Sequence, residues 1–195
     1  MIRCYITDRL VGQAASLPHL SLDSVALNLR AGIEWIQIRE KDLSARDLYE
    51  LVRAAKALPN PGGTKIIVNT RIDVALAASA DGAHLPSGSP ECRRWRGIVP
   101  AGFLLGVSCH TVEEVAAAQS EGAGYVLFGP VFAPISKTSV LAPRGLQGLA
   151  KAVGATRVPV LALGGITADN ISSCMATGAA GVAGISLFQK VPSAC

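Results

Sequence analysis

Aromatic and charged residues are scarce in this chain, at 5% and 16% of its 195 residues. The net charge of +4 is too small and too dispersed for a nucleic-acid surface, so no nucleic-acid partner is expected. The only basic cluster lies at residues 93–96. It is interpreted as a solvated helix face or, alternatively, as a contact for an anion or a protein partner.

Long apolar runs and paired cysteines are also missing. No apolar run reaches about 18 residues, which argues against a transmembrane helix and a membrane partner. The N-terminus has the pattern of a strand and lacks a signal-peptide cleavage site. Five cysteines without paired spacing are typical of reduced thiols, so we expect a cytoplasmic protein. Without a Cys-x-x-Cys motif or a histidine pair, no metal site is expected.

Hydrophobic residues, by contrast, make up 50% of the chain and recur in short runs, each followed by an amphipathic segment. Two of these segments open with helix caps, Ser44 with Asp47 and Thr111 with Glu114. The eight runs, which we interpret as strands, are Cys4–Thr7, Trp35–Arg39, Lys65–Asn69, Gly82–Leu85, Phe103–Ser108, Tyr125–Phe128, Val160–Leu163 and Gly181–Ser186.

Eight strands alternating with helices predict an α/β fold with parallel strands, either a (β/α)8 TIM barrel or a doubly wound open sheet. Eight units favour the closed barrel. No linker divides the chain, so residues 1–195 are expected to form one compact domain. Only nine residues follow Ser186, which predicts a short or missing last helix.

Active sites of such barrels lie at the C-terminal ends of the strands, where polar side chains at inward-facing positions are candidates for ligand binding. After strand 2, Gln37, Arg39 and Lys41 share one parity. We interpret them as substrate-binding residues that face an anionic ligand. The alternative is an internal ion pair with Glu40 or another carboxylate.

Further candidates follow strands 3 to 5. Asn69 is interpreted as a substrate-binding residue or as the N-cap of the next helix. His84 either binds substrate or is a core histidine with its hydrogen bonds satisfied. Ser108 is placed at the rim as a substrate-binding residue. His110 is the candidate catalytic acid/base, or else a residue that braces the rim.

The last candidates lie after strands 6 to 8. In the long loop after strand 6, Ser136 is interpreted as substrate-binding and Lys137 as a catalytic residue that neutralises an anion. The alternative for Lys137 is a solvated loop lysine. Glycines at 164, 165 and 184 allow backbone N–H groups to approach a phosphate. The predicted phosphate-binding residues are therefore Gly165, Ile185 and Ser186. The alternative for the glycines is tight-turn geometry alone.

Several of these segments, in the same order along the chain, resemble the signatures of the thiamine phosphate synthase and thiazole tautomerase superfamily. The matching segments are Ile6–Asp8, Gln37–Lys41, Asn69–Leu76, Gly106–Thr111, Tyr125–Phe132, Ala162–Ile166 and Gly181–Ser186. The resemblance implies a (β/α)8 barrel that acts on a thiazole phosphate in thiamine biosynthesis.

The sequence departs from both branches at specific positions. The resemblance implies that synthases hold Mg²⁺ on two aspartates, which are Thr70 and Ser89 here. The segment Leu85–Ser89 instead looks like the tautomerase branch, but the tautomerase histidine is Pro130 here. His110, His84 and Cys109 are the candidates to replace that acid/base.

These features predict a thiazole tautomerase-like isomerase that moves a proton without a metal cofactor. One alternative is a thiamine phosphate synthase with an altered metal site, which would use Mg²⁺. The other is a catalytically silent barrel that binds a thiazole or thiamine phosphate. The expected partner is the small-molecule thiazole phosphate, and a homo-oligomer is left open.

Overall fold

The computed structural model describes residues 1–11, 19–133 and 141–189. Eight parallel strands form a closed barrel in which each strand pairs with its sequence neighbour and β8 pairs with β1. The open sheet is therefore excluded and the barrel prediction is confirmed. The strands are β1 (Ile2–Ile6), β2 (Trp35–Ile38), β3 (Lys65–Asn69), β4 (Gly82–Leu85), β5 (Leu104–Cys109), β6 (Tyr125–Phe128), β7 (Val160–Leu163) and β8 (Gly181–Gly184).

Helices cover the outside of the barrel. Within the described ranges, β4 and β5 are connected by a 3-10 helix at Cys92–Arg94 instead of an α-helix. Residues 186–188 after β8 form a turn. The α-helices are α1 (His19–Arg30), α2 (Ala45–Ala57), α3 (Ile72–Ala77), α4 (Val112–Ser120), α5 (Gly145–Gly154) and α6 (Ile171–Ala176).

Both predicted caps are present. The Ser44 hydroxyl accepts a hydrogen bond from the Asp47 backbone N–H at 3.1 Å and opens α2. At α4, the Thr111 hydroxyl accepts from the Glu114 N–H, and the Glu114 carboxylate accepts from the Thr111 N–H. These caps satisfy backbone donors that a helix start leaves unpaired.

Strand alternation divides the core into two layers. One set of side chains fills the inside of the barrel and includes Ile6, Ile67, Tyr125 and Leu127. The other set, which includes Ile36 and Ile38, packs between the barrel and the helices. Residues that share the parity of the first set toward the C-terminal strand ends therefore line the barrel mouth.

The longest described helix, α2, has 13 residues. No helix in the described ranges combines the length and the apolar character that a membrane span requires.

Candidate active site

A cavity of about 290 Å³ opens at the C-terminal mouth of the barrel. Side chains from β2 to β5 supply most of its polar groups, whereas the loops after β7 and β8 contribute glycine backbone. Its lining includes most of the predicted site residues, namely Gln37, Arg39, Asn69, His84, Ser108, His110, Gly165, Ile185 and Ser186. Their placement at one mouth agrees with the sequence analysis, and their roles toward a ligand remain predictions.

Gln37 and Asn69 form an amide pair in this cavity. Gln37 Nε2 donates to Asn69 Oδ1 at 2.9 Å, and Asn69 Nδ2 donates to the Thr70 hydroxyl at 2.9 Å. Gln37 Oε1 is buried and accepts no hydrogen bond from the described residues. A buried acceptor without a partner is costly, so a ligand that donates here would gain affinity. Asn69 is not the N-cap of α3, because that position belongs to Arg71.

Arg39 lines the cavity and also forms an ion pair inside the protein. Its Nη1 lies 2.7 Å from Asp8 Oδ2, with both side chains largely buried. The expectation that Arg39 has no internal carboxylate as its partner is therefore wrong. The contact of Arg39 with a ligand stays a prediction. A buried guanidinium needs a counter-charge, and Asp8, two residues after the end of β1, supplies it. Lys41 is exposed and lies outside the cavity lining.

His84 is buried inside the barrel, with 2% of its surface exposed. Its Nδ1 lies 3.1 Å from the Tyr125 hydroxyl, and its Nε2 lies 2.8 Å from the Ser108 hydroxyl. Burial lowers the pKa of His84 from 6.5 to about 3, because desolvation penalises the charged ring. A ring that stays neutral at pH 7 and has both nitrogens bonded is poorly suited to accept a proton from a ligand.

His110 presents the opposite arrangement at the rim. Its Nδ1 lies 2.6 Å from the Gly129 carbonyl oxygen, which can only accept, so Nδ1 carries a proton. In the neutral ring Nε2 is then an acceptor, and it has no hydrogen-bond partner within the described part of the chain. The bond also brings the ring beside Gly129, directly before Pro130. Cys109 instead packs toward the helices, where burial raises its pKa to about 12.

The β7–β8 side of the mouth is built from backbone. Gly164 and Gly165 have φ angles of +95° and +63°. A Cβ on Gly165 would lie 2.5 Å from the Ala133 carbonyl oxygen and 2.7 Å from Phe132 Cβ. The loop after β6 therefore approaches as closely as it does because residue 165 is glycine. The backbone N–H groups of Gly165, Ile185 and Ser186 donate to no other described residue, which leaves them available to an anion.

Two predicted site residues, Ser136 and Lys137, lie outside the described residues. Leu141, where the description resumes, lines the cavity. The predicted catalytic role of Lys137 stays a prediction.

The residues at the two expected magnesium positions do not fit that ion. Thr70 and Ser89 offer hydroxyls where carboxylates are needed, and neither lines the cavity. The Thr70 hydroxyl already accepts from Asn69. The carboxylates near this rim are paired with arginines: Asp8 with Arg39, Glu40 with Arg9, and Asp73 with Arg71. Within the described ranges no three His, Cys, Asp or Glu side chains cluster as metal ligands would.

Sequence reasoning missed two residues that shape this site. Asp8 was not proposed as the partner of Arg39, although it lies two residues after the end of β1, which pairs with β2. Tyr125 was assigned only to a strand, yet its hydroxyl bonds the buried His84. No sequence signal singled out Tyr125, because its contact depends on the barrel register, which aligns His84 with Gly106 and Gly106 with Tyr125.

A closed (β/α)8 barrel with a cavity at its C-terminal mouth, into which polar side chains and glycine backbone project, defines a TIM-barrel enzyme. The sequence profile of the thiamine monophosphate synthase family matches residues 9–188. The chain belongs to this family, and with it to thiamine biosynthesis.

Individual relatives agree with that assignment. A thiamine-phosphate synthase of Roseiflexus castenholzii is 41% identical over 96% of this chain and 80% of its own length. That of Methanoculleus marisnigri is 39% identical over 93% of this chain and 84% of its own length. The solved thiamine phosphate pyrophosphorylase of Pyrococcus furiosus superposes with a TM-score of 0.83 at 31% identity, covering 98% of this chain and 88% of that one.

Proposed function

We propose that this enzyme is a thiamine-phosphate synthase, which joins a hydroxymethylpyrimidine pyrophosphate to a thiazole phosphate and releases pyrophosphate. The relatives that carry this name are 39% and 41% identical to the chain. The observation in the structure that carries the proposal is the presence of two separate donor sets around one cavity. A reaction between two phosphorylated substrates requires two anion sites that meet.

The first donor set consists of the backbone N–H groups of Gly165, Ile185 and Ser186, which suit a monophosphate. The second lies across the cavity and consists of the Arg39 guanidinium directly after β2, the Asn69 amide on β3 and the Ser108 hydroxyl on β5. Donors fixed in this way stabilise the charge that a departing pyrophosphate develops. The two sets hold the reactants together and so lower the entropic part of the barrier.

A second candidate is the thiazole tautomerase reaction, and His110 is the observation that favours it. The reaction needs one group that accepts and returns a proton near neutral pH. His110 offers an imidazole Nε2 without a described partner beside Gly129 and Pro130, where the resemblance places the tautomerase histidine. Thr70 and Ser89 also favour this candidate, because the proton shift needs no metal.

The test is to incubate the purified protein with the thiazole phosphate, the pyrimidine pyrophosphate or both, each with and without Mg²⁺, and to follow products by NMR. Formation of thiamine phosphate and pyrophosphate supports the synthase. Interconversion of thiazole phosphate carboxylate tautomers without the pyrimidine supports the second candidate. Binding without either product rejects both and leaves a silent thiazole phosphate binder.

If tautomer interconversion is seen, His110→Gln is expected to slow it by at least about a hundredfold, since a lost general base costs about 10²–10⁴ in rate. Binding of inorganic phosphate is expected to change little. Cys109→Ala is the matched control, because that neighbouring side chain points to the helix layer and should leave the rate unchanged. Equal rates in parent and His110→Gln would remove His110 from the mechanism.

A further inference from the structure

Across β4, β5 and β6, one row of the barrel holds an unusual arrangement. His84 pairs with Gly106 in register, and Gly106 pairs with Tyr125. A Cβ on Gly106 would lie only 2.1 Å from Tyr125 Cζ. Because residue 106 has no side chain, the Tyr125 ring crosses β5 and its hydroxyl reaches His84 on the far side. The Trp35 ring contacts Tyr125 with a centroid separation of 4.7 Å and helps to hold it there.

The direction of the hydrogen bonds in this row follows from the Tyr125 hydroxyl. Tyr125 is completely buried, and His84 Nδ1 is the one described atom that hydrogen-bonds its hydroxyl. If Nδ1 carried the proton and donated, the Tyr125 hydroxyl proton would be left buried without an acceptor, which is costly. Tyr125 therefore donates to Nδ1, and the neutral ring carries its proton on Nε2.

The second bond of the row then has a fixed direction as well. His84 Nε2–H donates to the Ser108 hydroxyl, 2.8 Å away. The Ser108 oxygen accepts this bond, so its own proton needs another acceptor. No described residue provides one, while Ser108 lines the cavity. The remaining direction for the Ser108 proton is into the ligand site.

We infer that Tyr125 and His84 are positioning residues whose one-way hydrogen-bond chain makes Ser108 an obligatory donor, so that the site selects a ligand with an acceptor atom at Ser108. Phosphate and pyrophosphate oxygens meet this requirement, whereas an ammonium group, which can only donate, does not. The identity of the ligand rests on the proposed function. The direction of the two hydrogen bonds rests only on the side chains of Tyr125, His84 and Ser108.

The direction of these hydrogen bonds is measured by NMR of the ¹⁵N-labelled protein without ligand, which shows which His84 ring nitrogen carries the proton. The His84 ring is expected to show a protonated Nε2 and an unprotonated Nδ1. A spectrum with the proton on Nδ1 would overturn the inference, whatever reaction the enzyme catalyses. Because no substrate enters this measurement, it separates a failure of the inference from a failure of the proposed function.

Binding of inorganic pyrophosphate, measured by calorimetry, tests the consequence for the ligand. Loss of one neutral hydrogen bond corresponds to about three- to tenfold in affinity, so Ser108→Ala is expected to weaken binding by that factor. His84→Met removes the donor that orients the Ser108 hydroxyl, so it should weaken binding by up to the same factor. His84→Gln should keep most of the affinity, because one amide offers an acceptor for Tyr125 and a donor for Ser108.

The decisive comparison is between the single and double variants. If His84 acts through Ser108, His84→Met in a Ser108→Ala background costs nothing further. Additive losses would show a merely structural role and reject the inference. Should His84→Met fail to fold, the NMR measurement and His84→Gln still test the inference. If His84→Gln binds pyrophosphate as weakly as Ser108→Ala does, the inferred hydrogen-bond directions are contradicted. If pyrophosphate does not bind the parent, the proposed function fails, while the NMR result on the His84 ring still tests the inference.

Discussion

On the β2–β5 side of the cavity the polar groups belong to side chains, whereas on the β7–β8 side they belong to the backbone. Gln37, Arg39 and Ser108 represent the first side, and Gly165 and Ser186 the second. A side-chain site is altered by substitution at the contacting residue itself. A backbone site is altered only by changes that move the main chain, so it is set by conformation and close packing.

The largest loss of stability and binding is expected on the backbone side, from a substitution at Gly165. Gly165→Ala places a Cβ against the 132–133 backbone and forces an alanine to a φ of +63°. Left-handed strain and overpacking together are expected to lower the free energy of unfolding by about 2–5 kcal/mol. Inorganic phosphate binding should fall with it. Urea denaturation and calorimetry measure the two effects.

Gly63→Ala is the matched control for this variant. Gly63 has nearly the same φ, +66°, but a Cβ there meets no atom within 4 Å. It should cost only the strain, about 1–2 kcal/mol, and leave phosphate binding intact. Equal stability losses at 63 and 165, with phosphate binding retained in both, would show that the β7–β8 backbone is not the phosphate site.

On the side-chain side, Arg39→Ala is expected to lower the free energy of unfolding by about 3 kcal/mol, because it removes the arginine that pairs with the buried Asp8. Pyrophosphate binding should weaken at the same time. Adding Asp8→Asn should restore part of the stability but not the binding. Arg9→Ala, which breaks ion pairs outside the cavity, serves as the control. If the double variant recovers both properties, Arg39 acts on the ligand only through stability.

On the side-chain side, His84 is expected to lower the free energy of unfolding at acid pH. Its folded pKa of about 3 lies below the ordinary 6.5, so the unfolded chain binds one more proton between these values. Stability is therefore lost as pH falls below about 6.5, at up to about 1.4 kcal/mol per pH unit from this residue, or about 2 kcal/mol between pH 6.5 and 5. Urea midpoints from pH 7 to 5 should show a shallower slope in His84→Gln. Parallel slopes would mean that His84 titrates normally.

The smallest effect is expected at the rim after β3 and β4. Calorimetry with pyrophosphate present should show no micromolar Mg²⁺ binding at Thr70 and Ser89, because hydroxyls are weak ligands for this ion. The double variant Thr70→Asp, Ser89→Asp should gain binding while stability changes by less than about 0.5 kcal/mol. Thr70 already has a φ of +66°, which Asp adopts more readily than Thr. Micromolar Mg²⁺ binding in the parent that Thr70→Ala abolishes would contradict this expectation.

The fold and the position of the site were predictable because strand parity is a local property. Alternation alone placed Gln37 and Arg39 inside and Ile36 and Ile38 outside, and it turned Cys109 toward the helices. Pairings between strands were not predictable in the same way. The Arg39–Asp8 ion pair and the His84–Tyr125 bond join residues 31 and 41 positions apart, and their geometry depends on barrel register. Lys41 lies outside the cavity lining because it is three residues beyond the end of β2 at Ile38, where strand parity no longer applies.

Gly106 also has a consequence for the length of ligand that the barrel can admit. The volume that a side chain on β5 would occupy is taken by the Tyr125 ring, which lies below the cavity as a fully buried layer. Residues 106 and 125 therefore share one space, and a larger residue at one position requires a smaller residue at the other. The depth to which a substrate enters is set by how two adjacent strands divide that space, so the same barrel can become deeper or shallower without any change at its rim.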